Sequence, residues 1–231
     1  KDIQVFILHP YQKISEVQRR QMTTIKESNV HNIAINGTFD DCQKIVKKLF
    51  LDEKLQLKTS LTAVNSINWA RLISQTVYYF WAFLQLEEKY INFIVPSGNF
   101  GNIFSARIAK YMGLPINQLH IVTNDNDILH RSISMGEMKI SEVQQTHSPS
   151  MDIQISSNFE RQLFESSQRN SELINNMMSS FSDDGVQLLP ESLLKDMQLH
   201  YKTHSVSNDL TIQTIKNFYH KFKYLADPHT A

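Results

Sequence analysis

The apolar positions of this chain follow two rhythms in turn, short β-rich runs and longer stretches at helical spacing. Ile3 to Leu8 is such a run, ended by His9-Pro10, and predicts an interior strand. Ser15, with Gln18 three positions on, has the form of a capping box and predicts a helix through about Ile25. The order then repeats. Asn32 to Ile35 reads as a strand, Asn36-Gly37 as a turn, and Thr38 to Phe50 as a helix with Cys42, Ile45, Val46 and Leu49 on one face. Leu61 to Val64 reads as a third strand leading into a long helix that runs to about Leu86. Ile91 to Val95 and Leu119 to Val122 are two more strands, separated by a helix over 102–112 that Gly113 and Pro115 stop.

Strands alternating with helices imply an α/β fold with a mostly parallel sheet and helices on both faces, because parallel neighbours need crossover helices. Residues 1–132 form this α/β region. Residues 133–231 read as a mainly helical continuation, with helices near 158–168, 171–181, 190–201 and 207–224. Both parts are expected to belong to one larger catalytic unit. The Ser/Asn-rich stretch 166–182 reads as a weak, mobile stretch. Ligands of open α/β sheets sit at the carboxyl ends of the strands, so the loops at 65–68, 96–101 and 123–127 are expected to converge.

The loop Pro96-Ser97-Gly98-Asn99-Phe100-Gly101 stands out among these. The chain has only 6 Gly, and two of them fall within four positions here. A strand, a tight polar loop and a helix start can aim several backbone N–H groups and the positive end of a helix dipole at one anion. Glycines remove the Cβ atoms that would hold a phosphate away. Two readings fit: a phosphate cradle, or a βα turn that needs an unusual backbone angle.

Asn65, Ser66, Asn68, Trp69 and Arg71 gather two amides, a hydroxyl, an indole and a guanidinium at one helix start. Arg offers a planar fork for carboxylate or phosphate, while Asn and Ser are also the ordinary N-cap residues. Thr123-Asn124-Asp125-Asn126-Asp127 lacks the Gly and terminal Glu of a calcium loop, so helix capping and cleft lining by Asn124 and Asn126 are its expected roles. Ser148 to Asp152 reads as a turn, and Asn158 to Arg161 as a capped helix start with a Glu–Arg pair.

Composition narrows the chemistry further. Lys and Arg number 23 and Asp and Glu 23, so no net field draws the chain to nucleic acid or an acidic membrane. A single Cys excludes an internal disulfide framework and a cysteine-rich metal site, and fits a reducing compartment. No apolar run has the roughly 18 residues of a membrane helix. His200 and His204 have a zinc-site spacing without its Glu, there is no Gly-x-Ser-x-Gly elbow and no P-loop lysine, and no metal is expected.

Five stretches taken together have a family likeness: Val-Pro-Ser-Gly-Asn-Phe-Gly at 95–101, Ala-Val-Asn-Ser-Ile-Asn-Trp-Ala-Arg at 63–71, Thr-Asn-Asp-Asn-Asp-Ile-Leu at 123–129, Ser-Pro-Ser-Met-Asp-Ile at 148–153 and Ser-Asn-Phe-Glu-Arg at 157–161. In this order they resemble threonine synthases, including the threonine synthase-like proteins, and the likeness extends over nearly the whole chain. It implies a fold-type II pyridoxal 5'-phosphate lyase of amino-acid biosynthesis, cytoplasmic, acting on O-phosphohomoserine. In that family a lysine holds the cofactor as a Schiff base, phosphate leaves the substrate's γ carbon and water adds at the β carbon to give threonine. Carried over by position, the resemblance gives the cofactor phosphate to Ser97, Gly98, Asn99, Phe100 and Gly101. It places Asn65, Ser66, Asn68 and Arg71 in the cleft.

Two departures matter. The family has Asp after the second glycine of the cradle, where this chain has Asn102. Its Schiff-base lysine lies in a Phe-Lys-Asp context followed by a Gly-Asp-Thr-Gly loop, and neither motif occurs here. The expectation is therefore a fragment of a threonine synthase, lacking the N-terminal part and the extreme C-terminus and inactive alone. The alternative is a threonine synthase-like protein without synthase activity, acting as a phospho-ligand binder or an interaction protein. An unrelated nucleotide-binding α/β domain would explain the 95–113 unit but none of the other four stretches.

Overall fold

The computed structural model describes residues 3–65 and 67–231 and divides into two compact units, 1–62 and 63–231. Lys1-Asp2, the approach to the first strand, lies outside the described residues.

The first unit comprises β1 (Val5–Pro10), α1 (Glu16–Thr23), β2 (Val30–Ile35), α2 (Phe39–Leu51) and the single turn α3 (Glu53–Gln56). β1 and β2 pair in parallel, Val5 opposite Val30 and Pro10 opposite Ile35, with α1 as their crossover. Both helix starts come from the expected chemistry. Ser15 Oγ accepts the Gln18 amide at 3.2 Å, and Thr38 and Asp41 close a reciprocal capping box, the Thr38 amide donating to Asp41 Oδ2 at 2.7 Å. Cys42 is buried on α2, Ile45 and Val46 are half-buried and Leu49 is exposed. α1 stops at Thr23, where the Thr24 amide and hydroxyl both turn back to the Arg20 carbonyl.

The strand expected at 61–64 does not form. The carbonyls of Ala63 and Val64 take donors from the following helix start instead, Asn68 Nδ2 at 2.5 Å and Arg71 Nη1 at 2.9 Å. Side chains occupy the acceptors that a ladder would need.

The second unit is built on α4 (Trp69–Leu84), β3 (Ile91–Pro96), α5 (Gly101–Tyr111) and β4 (Ile116–Thr123). It continues through α6 (Ile128–Met135), β5 (Glu137–Lys139), a 3-10 turn at Pro149–Met151, α7 (Phe159–Ser166) and α8 (Ser171–Asp184). β6 (Val186–Leu188), α9 (Glu191–His200), β7 (Tyr201–Ser205) and α10 (Asn208–Phe222) complete it. The sheet order is β3-β4-β7, all parallel, with Val95 opposite Ile121 and Leu119 opposite Tyr201. β5 and β6 form a separate antiparallel pair.

β7 is the main departure from the helices expected in the mainly helical second half. The segment expected to be helical to residue 201 leaves the helix at Tyr201 and enters the sheet beside β4. His200 and His204 therefore do not share a helix. His204 instead stacks on His120 of β4 with ring centroids 5.6 Å apart. The Ser/Asn-rich stretch forms α8, held by buried Ile174, Met177 and Phe181.

Central β4 explains how the cradle is held. Leu119, Ile121 and Thr123 alternate onto one fully buried face. Ile103, Leu72, Leu129, Leu193 and Met197 fill the same core, each such side chain contributing roughly 1.5–3 kcal/mol on burial. Phe100 enters it too, with its ring edge-on to Phe159 at 5.3 Å and to Tyr201 at 5.6 Å.

Candidate functional site

The cradle lies where β3 ends and α5 begins. Its N-cap, Phe100, adopts a left-handed backbone at φ 60° and makes no side-chain capping bond. A non-Gly residue holds this conformation only when its surroundings fix it, and the buried Phe100 ring does so. Sequence reasoning placed Phe100 at the phosphate. The structure places its ring in the core and its amide in the loop.

The loop's acceptors and donors are sorted. The Gly98 carbonyl accepts Ser156 Oγ at 2.8 Å, and the Asn99 carbonyl accepts the Asn158 amide at 3.1 Å and Asn158 Nδ2 at 3.0 Å. Asn99 Oδ1 accepts Ser157 Oγ at 3.0 Å. Among the described residues, the amides of Gly98, Phe100 and Gly101 have no acceptor. Ser97 differs: its amide donates to the Val122 carbonyl at 2.8 Å and its hydroxyl to the Val95 carbonyl at 3.1 Å. Ser97 is thus the buried hinge of strand and loop, with its donors engaged in the fold.

This donor set fits a dianion. Unpaired amides at the start of an uncapped helix attract negative charge, typically by about 0.3–1 kcal/mol at an exposed site. A Cβ built on Gly98 would lie 3.1 Å from Met151 Cα and 3.4 Å from both the Ser150 carbonyl and Ile153 Cδ1. The glycine is needed for close approach of the 148–153 backbone.

Over its full length the chain is 46% identical to a threonine synthase of Pseudomonas aeruginosa, of which it covers 50%. A threonine synthase of Brucella melitensis, solved with pyridoxal phosphate bound, matches 99% of this chain with 50% of its own at 46% identity and a TM-score of 0.87. The chain is a threonine synthase homologue. It spans about half the length of the curated relatives it matches. A maize serine racemase, 14% identical with a TM-score of 0.62 over 98% of this chain and 56% of its own, shares the fold alone. The α/β fold thus matches part of the fold-type II pyridoxal phosphate enzymes. No protein-family model matches the chain.

The other threonine synthase-like stretches gather around this loop unequally. Ser66 lies outside the described residues. Asn65 Oδ1 accepts the Ile67 amide at 3.1 Å, and Asn68 caps α4 by accepting the Ala70 amide at 2.9 Å. Arg71 spends one donor on Val64, and no carboxylate pairs with it among the described residues. Arg161 fastens this segment to α7: Nη2 donates to the Ile67 carbonyl at 2.9 Å, Nε to Asn158 Oδ1 at 3.1 Å, and the guanidinium lies 5.5 Å from the Trp69 ring centroid. The expected Glu160–Arg161 pair does not form among the described residues. Neighbours on a helix point to different faces.

Asn124 and Asn126 are buried and fully engaged. Asp152 gathers Asn124 Nδ2 at 2.8 Å, Asn126 Nδ2 at 3.1 Å and Thr146 Oγ1 at 2.5 Å on Oδ1, and the Thr146 amide at 2.9 Å on Oδ2. This hub ties the end of β4 to the 148–153 segment that packs on Gly98. Ser156, Asn158, Asp152 and Arg161 are the positioning residues that sequence reasoning did not single out as site residues. Ser157-Asn158 and Asp152 lay inside the family-like stretches, whereas Ser156 carries no local signal for a bond spanning 58 positions.

Proposed function

We propose that this chain supplies the cofactor-phosphate-binding part of a threonine synthase, which converts O-phosphohomoserine and water to threonine and phosphate. Pyridoxal phosphate, when bound, supplies the electron sink for that chemistry. The observation that carries the reading is the sorted loop: carbonyls of Gly98 and Asn99 tied back by Ser156 and Asn158, amides of Gly98, Phe100 and Gly101 left for an anion.

In this reading those amides and the α5 dipole hold the phosphate, Gly98 keeps the loop close to Met151, and Asn99 sets the loop's orientation through Ser157 and Asn158. Arg71 has donors left for a substrate carboxylate or phosphate, and Arg161 holds the segment that carries it. No lysine in the chain stands in the family's Phe-Lys-Asp context, so the 231 residues alone are expected to release no phosphate from O-phosphohomoserine.

The test is a chimera that joins this chain to the part of the Pseudomonas aeruginosa relative it does not cover. Supplied with pyridoxal phosphate, the chimera is expected to form threonine and phosphate in equal amounts. A folded chimera that binds the cofactor yet forms no threonine would contradict the reading.

A further inference from the structure

We propose that Arg107 and Lys110, near the carboxyl end of α5, form a second binding site, for a small oxyanion, distinct from the cradle at its amino end. Arg107 lies six positions beyond Gly101, about 9 Å along the helix axis at 1.5 Å per residue. Its side chain runs toward the helix end, where the guanidinium stacks 4.2 Å from the ring centroid of Tyr111.

The anomaly is a buried donor without a partner on a cationic side chain. Arg107 is 6% exposed, and its Nε is buried without a hydrogen-bond partner. Among the described residues no carboxylate or carbonyl is bonded to this guanidinium. Arginine cannot shed its proton, and a buried donor left without an acceptor costs about 1–3 kcal/mol. The cation–π contact with Tyr111 attracts the charge but gives Nε–H no acceptor.

The neighbours deepen the imbalance. Lys110 Nζ donates to the Asn117 carbonyl at 3.1 Å, leaving two donors and no acidic partner among the described residues. Burial and then the Arg107 charge push the Lys110 pKa down, and the same two causes lead the lowering at His200. Asp196, which acts on His200 as Arg107 does but in the opposite direction, pairs with His200 at 3.7 Å. The arginine fork and the unspent lysine donors form a site that a tetrahedral or planar oxyanion would neutralise. These two side chains are independent of the function proposed for the cradle.

The test uses the whole chain labelled with 15N at arginine, titrated with inorganic phosphate and separately with acetate. The Nε–Hε resonance of Arg107 is assigned by its disappearance in Arg107→Lys. Saturable movement of that resonance with phosphate is expected, and Gly98→Ala, which perturbs the cradle, should leave the titration curve unchanged. Movement with phosphate alone assigns the site to phosphate groups, and movement with both anions assigns it to oxyanions generally. A resonance that neither anion moves overturns the proposal, as does a titration abolished by Gly98→Ala.

Discussion

The hydroxyl of Tyr79, buried on α4, donates to Asn102 Oδ1 at 2.5 Å and to the Asn102 carbonyl at 3.0 Å. Asn102 is the cradle residue at which this chain departs from the threonine synthase pattern, and it sits on the first turn of α5. The contact needs only an oxygen on the second residue of the helix, which Asn and Asp both provide. Burial raises the Tyr79 pKa far above its ordinary value, so the phenol keeps the proton it donates. Asn102→Ala and Tyr79→Phe are each expected to lower stability by about 1 kcal/mol. A double-mutant cycle by urea unfolding should find them strongly non-additive. Asn102→Asp should gain roughly 0.3–1 kcal/mol from the helix dipole, and a loss there would show that the amide is required.

Asp152 accepts four hydrogen bonds from Asn124, Asn126 and Thr146. Asp152→Asn would turn an amide donor toward these donors, at an expected cost of about 1–3 kcal/mol. Because the hub holds the segment against Gly98, the same change should weaken phosphate-ester binding at the cradle. Calorimetric titration beside thermal unfolding reads both effects. Unchanged affinity with lowered stability would separate the hub from the site.

Stability should depend on two histidines at mildly acid pH. Burial, followed by nearby cations, lowers the pKa of His200 and His120 below the ordinary histidine value of 6.5. Below pH 6.5 the unfolded chain then binds more protons than the folded one, so stability falls as pH drops through the folded values and is fully present above 6.5. His200→Gln is expected to flatten the slope of urea midpoint against pH over that window. An unaltered slope would assign the dependence to other groups.

How much of this was legible in the sequence follows the range of the interactions. Ser15, Thr38 and the βα passage into α5 are local, and their capping and turn chemistry stands in a few consecutive letters. β7 is not local: Tyr-Lys-Thr-His-Ser at 201–205 carries no strong strand signal and becomes a strand because β4, some 80 positions earlier, pairs with it. The same holds at the cradle. Glycine spacing marked the loop, but only the fold shows that Ser156 and Asn158 take its carbonyls and that Ser97 is engaged on both donors. Leu61 to Val64 failed as a strand for the converse reason, since nearby Asn68 and Arg71 side chains reached its carbonyls first.

The most direct measurement is a calorimetric titration of the chain with pyridoxine 5'-phosphate and with pyridoxine. Neither carries an aldehyde to react with lysines at random, so the phosphate alone distinguishes them. Saturable one-site binding of the phosphate ester, none of pyridoxine, and loss of that binding in Gly98→Val are the expected results, since the new side chain would strike the Met151 backbone. Equal binding of the two compounds, or binding that survives in a folded Gly98→Val chain, would contradict the phosphate cradle.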